Sequence, residues 1–171
     1  MIYLIGTRHD LQYTGAKGRG DTKEDEQSRE DFKTFLRNNA RILKPTLLGE
    51  EMLESVLKAR NAQSSVKFIA NELNIEHRFC DAELEVRKSL GIPTEGSEHF
   101  PPEEKRTNFR VLENYWLEQI KDMAGSTIIF VCGAEHIKSF DALLKLNGIK
   151  TSIIERDFRG TFREPLECNC S

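Results

Sequence analysis

Residues 126–156, STIIFVCGAEHIKSFDALLKLNGIKTSIIER, decide the fold. The apolar run from Ser126 to Cys132 has the length and β-branched content of a buried strand. Gly133 ends it, and Ile137, Phe140, Leu143 and Leu144 then recur at the spacing of one helix face. Asn147-Gly148 stops that helix, and residues 150–156 resume as a strand. Strand, helix and strand within about thirty residues form a βαβ unit, whose right-handed crossover lays the two strands parallel in one sheet.

The same alternation continues outward. Apolar runs at 2–5, 45–49 and 75–80 read as three further strands. Phe32, Phe35, Leu36 and Leu43 share one face of a helix opening near Asp21 or Thr22, and Val66, Ile69, Ala70 and Leu73 make a second such face. Phe109, Leu112, Trp116, Ile120 and Met123 form a longer stripe after Pro101 and Pro102, which suit a helix start. Residues 82–91 make a weak helix with Leu84, Val86 and Leu90, and 91–102 read as a loop carrying His99. The predicted fold is therefore α/β, a mostly parallel five-stranded sheet with helices on both faces, in a single domain over residues 1–171 with a flexible tail from about 158.

The 171 residues suffice for one well-buried core. A net charge of −3 offers no general attraction to nucleic acid or to an anionic membrane. MIYLIGTRHD lacks the cationic start and cleavage site of a signal peptide, and no stretch reaches the apolar length of a membrane helix, so the expected location is cytoplasmic. Cys80 and Cys132 sit in apolar runs as small hydrophobes; Cys168 and Cys170 fall in the tail and lack the second pair of a zinc ribbon.

In an open parallel sheet, ligands gather beyond the carboxyl ends of the strands. There the sequence places Gly6-Thr7-Arg8-His9-Asp10, Gly49-Glu50-Glu51, Cys80-Asp81, Gly133-Ala134-Glu135-His136 and Arg156-Asp157. Two of the four histidines share a Gly-x-x-His pattern, in which the glycine allows a sharp turn back over the sheet. Two imidazoles and a carboxylate pair are what water activation requires, so His9, Glu50, Glu51 and His136 are the candidate catalytic residues. His9, Glu51 and His136 are equally a candidate ligand set for a divalent metal, manganese or zinc. Arg8, Lys17, Arg19 and Asp81 are candidates for binding substrate, the basic ones meeting an anionic group. Residues 13–21 form a basic, glycine-rich loop after the first strand; Asp21-Thr22 stands where a Walker loop needs Lys and Ser or Thr, so this loop is expected to be a mobile border of the site. His77 and His99 read as structural or solvated.

The three motifs, Gly6-Thr7-Arg8-His9, Gly49-Glu50-Glu51 and Gly133-Ala134-Glu135-His136, occur in an order that resembles the superfamily grouping erythromycin esterases, ChaN-like haem-binding proteins, Tiki proteases and TraB proteins. The resemblance implies a parallel α/β core with a histidine and glutamate site at the strand ends. It maps the family's first histidine to His9, its glutamate to Glu50 or Glu51, and its late Gly-x-x-His to His136. Members differ in function, resembling water-activating hydrolases, metal-dependent proteases or haem binders.

The first expectation is a small hydrolase acting on an ester, amide or phosphoester of a small molecule or peptide. His9 and His136 serve it as metal ligands or as base, with Glu50 or Glu51 as ligand or base partner. The alternative is a noncatalytic protein that binds a small ligand, haem or a protein partner at the same edge. Nucleic-acid chemistry is disfavoured by the acidic balance and the lack of base-stacking motifs, and no membrane partner is expected.

Overall fold

The computed structural model describes residues 1–15, 22–92 and 101–160. Five strands form one all-parallel sheet: β1 (Ile2–Thr7), β3 (Leu47–Glu50), β5 (Glu76–Phe79), β6 (Ile128–Gly133) and β7 (Thr151–Phe158). Their order across the sheet is β5-β3-β6-β1-β7, so the sequence reading of an α/β sheet holds. A two-stranded antiparallel ribbon, β2 (Tyr13–Thr14) with β4 (Gln63–Ser64), stands apart from it.

The helices cover both faces. On one, α1 (Lys23–Leu43) and α3 (Ser65–Leu73) bury Phe32, Leu36, Val66 and Ile69 against Ile5, Leu48, Ile129 and Val131. On the other, α5 (Pro102–Ile120) and α6 (Ile137–Leu146) bury Trp116, Ile120, Phe140 and Leu144 against Leu4, Leu47, Ile128 and Phe130. Alternate residues of each strand feed the two layers, as the period of two demands. The remaining helices are short, α2 (Glu54–Ala59) and α4 (Leu84–Ser89).

Local signals set the boundaries. Thr22 caps α1: its hydroxyl accepts the Asp25 N–H at 3.1 Å, and the Asp25 carboxyl accepts the Thr22 N–H at 3.0 Å, a reciprocal capping box. Pro102 opens α5, and Gly148, with φ 74°, follows the end of α6. In the middle of the sheet, a Cβ on Gly6 would stand 2.1 Å from the Arg156 carbonyl oxygen, and there the β1–β7 register shifts. Only glycine permits that approach.

The connections place the site. After β1 the chain crosses to the face of α1; after β6 it crosses to the face of α6. The neighbouring strands β1 and β6 therefore send their helices to opposite faces, the switch point outside whose carboxyl ends ligands bind in open parallel sheets. Two differences from the sequence reading follow from local pairing. Tyr13 and Thr14 are not part of a loose loop, because they pair with Ser64 and Gln63, and Tyr13 is buried. Residues 54–59, for which no element was expected, form a helix. Lys17, Arg19, His99, Cys168 and Cys170 lie outside the described residues.

Candidate active site

Strand order brings the three motif strands side by side, β3-β6-β1. Thr7 is level with Gly133 and Glu50 with Val131, so the residues that follow all emerge at one edge. His9 opens a 3-10 turn over His9–Leu11, and His136 closes another over Ala134–His136. Glu51 stands between them: its Oε1 is 3.8 Å from His9 Nε2 and 3.5 Å from His136 Nε2. Its Oε2 accepts the Gly133 N–H at 2.7 Å, which fixes the carboxyl where both rings meet it.

The two histidines have different surroundings. The His9 side chain is 57% exposed at the mouth, whereas that of His136 is only 6% exposed. The Phe109 ring stacks on the His136 imidazole at 3.8 Å between centroids, and Trp116 presents an edge-on contact at 4.8 Å. His136 Nδ1 lies 2.9 Å from Glu113 Oε1, the same oxygen that accepts the Ser139 hydroxyl at 2.5 Å. Burial pushes the His136 ring toward its neutral form, but Glu51 foremost, then Glu113, with Asp81 adding to them, raise its pKa above the ordinary imidazole value. A buried ring flanked by two carboxyls is thus held toward the charged form.

Glu50 departs from the group. Successive strand residues point to opposite faces, so when Glu51 joins the histidines, Glu50 turns toward the layer of α3. There its Oε1 accepts the Ser64 hydroxyl at 2.5 Å and meets His77 Nε2 at 2.7 Å. Full burial raises the Glu50 pKa, against the opposing pull of His77 and Ser64. The structure therefore gives Glu50 and His77 to a buried polar contact behind the sheet, and the expected Glu50 contribution to the cleft is corrected. Asp81 is also largely occupied: Arg87 donates to it at 2.6 Å, Trp116 Nε1 at 3.4 Å and the Ala82 N–H at 2.8 Å. It acts on His136 through its charge. Arg8 is exposed and paired with Asp10.

Sequence reading missed Glu113. It lies four residues after Phe109 and three before Trp116, on the apolar stripe itself, and a carboxyl on the buried face of an amphipathic helix was the available signal. Cys80 and Cys132 are buried as expected; burial pushes the Cys80 thiol up to about 12 and that of Cys132 well above its usual value, so neither serves as a nucleophile.

His9, Glu51 and His136 offer the donor types that zinc or manganese takes, and a carboxyl behind a histidine is the support a metal-bound imidazole commonly has. As they stand, no group of three or more His, Cys, Asp or Glu side chains among the described residues is gathered to hold an ion. No helix is long and apolar enough to cross a membrane among the described residues.

Gly133 ties the geometry together. A Cβ there would meet His9 Nε2 at 3.0 Å and Glu51 Oε2 at 3.3 Å. Its backbone, at φ −58° and ψ 140°, suits any residue. Gly133→Ala is therefore expected to leave the thermal midpoint nearly unchanged while displacing His9 and slowing any reaction at the site about tenfold or more. Melting and rate measurements on one preparation check this. Comparison with protein-family models, curated proteins and solved structures gives no match.

Proposed function

We propose that this chain is a hydrolase that activates water between His9 and His136, cleaving an ester, amide or phosphoester bond. The observation that carries the reading is Glu51 Oε1 placed 3.8 Å and 3.5 Å from two imidazoles of contrasting exposure, at the carboxyl edge of a parallel sheet. The three-motif resemblance to the erythromycin esterase superfamily supports it further.

The surroundings divide the work. His9, open to solvent at the mouth, takes a proton from water at Nε2 as the oxygen attacks the carbonyl or phosphoryl centre. His136, held toward its charged form, donates the Nε2 proton to the leaving oxygen or nitrogen. Glu51 orients both rings and offsets their charge. After release His9 gives its proton to solvent and His136 takes one back at Nε2, which restores the starting state. A divalent ion, when bound, would supply a water of pKa near roughly 7, and His9, Glu51 and His136 are the residues that would hold it.

The test is a panel of p-nitrophenyl esters, p-nitroanilides and p-nitrophenyl phosphoesters, assayed with chelator and again with added Mn²⁺ or Zn²⁺. The reading expects multiple turnovers of at least one class. Stoichiometric capture of probe without turnover would instead favour a binding protein built on the same edge.

A further inference from the structure

Glu113 belongs to none of the three strand-end motifs, yet its side chain is only 2% exposed and its carboxyl meets the one buried histidine of the cleft. Burying a carboxyl has a large desolvation cost unless donors satisfy it. Here Ser139 Oγ donates to Oε1 at 2.5 Å and His136 Nδ1 lies 2.9 Å from the same atom, where an ionised carboxyl can only accept. Ser139 also reaches the His136 carbonyl at 3.2 Å, so hydroxyl, carboxyl and imidazole close on one another. The other faces of the ring are occupied by Phe109 and Trp116. That leaves Nε2 directed at Glu51 and the cleft.

We infer that Glu113, supported by Ser139, is a positioning residue that fixes His136 with its Nδ1–H toward helix α5 and its Nε2 toward the cleft. The inference rests on the hydrolase reading of that site for its consequence, though not for its geometry. A charged imidazole carries a proton on each nitrogen but can still turn its ring, and once Nε2 has given up its proton the remaining one can sit on either nitrogen. Without a fixed acceptor only some of these arrangements present a usable Nε2. A carboxyl behind a catalytic imidazole removes that ambiguity. The same fixation serves Nε2 whether it moves a proton or binds an ion. Glu113 touches His136 alone among the histidines of the cleft, so its effect passes through that ring.

The experiment uses the full chain, with Glu113→Met and Ser139→Ala. Methionine keeps the length of the side chain and removes the acceptor; withdrawing one partner of a buried pair is costly to stability, so rates are taken per folded molecule. In the wild type, ¹H–¹⁵N spectroscopy is expected to show a His136 Nδ1–H signal at low field and protected from exchange with water. Glu113→Met should abolish it, and Ser139→Ala should increase its exchange. On the nitrophenyl probe that the wild type turns over, Glu113→Met should lower kcat about 100-fold with KM within about twofold of wild type, and Ser139→Ala should give a smaller loss in the same direction. An Nδ1–H signal that survives Glu113→Met unchanged, or an unchanged kcat, overturns the inference. If Glu113→Met fails to fold, Ser139→Ala decides by the same two readouts. Should the wild type turn over no probe, the hydrolase reading fails, while the ring signal still judges whether Glu113 holds His136.

Discussion

Trp116→Ala is expected to lower the free energy of unfolding by about 3–5 kcal/mol. The ring is completely buried and lies at the centre of an aromatic cluster, with centroids 5.7 Å from Phe130 and 5.5 Å from Phe140. Truncation removes the transfer energy of the indole and leaves a cavity between sheet and helix that the flanking rings fill only in part. It also withdraws the Nε1 donor from Asp81. Because this is the chain's one tryptophan, unfolding should be followed in urea by far-ultraviolet circular dichroism rather than by fluorescence. The midpoint should fall with the slope unchanged. A loss below about 1 kcal/mol would show that the cluster repacks and that the core does not depend on this residue. The folded fraction should also lose activity, because the same ring forms one wall around His136. Stability and function are coupled at this position.

His9→Ala is expected to separate them. Its side chain is more than half exposed, and the 3-10 turn it opens is held by backbone bonds, Leu11 N–H to the Arg8 carbonyl and Gln12 N–H to the His9 carbonyl, both 3.1 Å. Alanine keeps those bonds, so unfolding should stay within about 0.5 kcal/mol of wild type. Turnover should fall about 10²- to 10⁴-fold, the range for loss of a positioned acid or base. Rates per folded molecule and urea midpoints from one preparation check both halves. Normal turnover would remove His9 from the chemistry.

Much of this was legible beforehand, for reasons that can be named. The β6-α6-β7 unit could be read because its apolar periodicity changes between Cys132 and Ile137 with Gly133 at the change. His9 and His136 could be located because strand direction alone puts residues that follow parallel strands at one edge. The choice between Glu50 and Glu51 could not be made, since the period of two separates them but does not say which face holds the cleft. That required knowing that β6 sits between β3 and β1, and that α5 and α6 lie on the face Glu51 shares. For His77 the sequence leaves a structural and a solvated role open; the structure gives it the structural one, beside buried Glu50, a pairing across neighbouring strands that sequence spacing does not encode. Glu113 was hidden by treating the stripe of α5 as purely apolar. The ribbon β2-β4 depends on a contact between segments some fifty residues apart, Tyr13 with Ser64, and two-residue strands leave no periodic trace.

The most direct test of water activation by these histidines is the pH–rate profile of chelator-treated protein, for the wild type and for Glu51→Gln. His136 is faced by Glu51, Glu113, Asp81 and, across Glu51, His9. Of these, Glu51 is the strongest influence opposing its burial and raising its pKa. As the proton donor, His136 must be charged, so the wild-type rate should fall on the alkaline side at a pH above the ordinary imidazole value of about 6.5. Removing the Glu51 charge lowers the His136 pKa, so in Glu51→Gln that alkaline fall should move to lower pH, on top of a reduced maximum. An alkaline fall that stays in place when Glu51 becomes Gln, or a wild-type rate that does not fall there at all, would contradict the account.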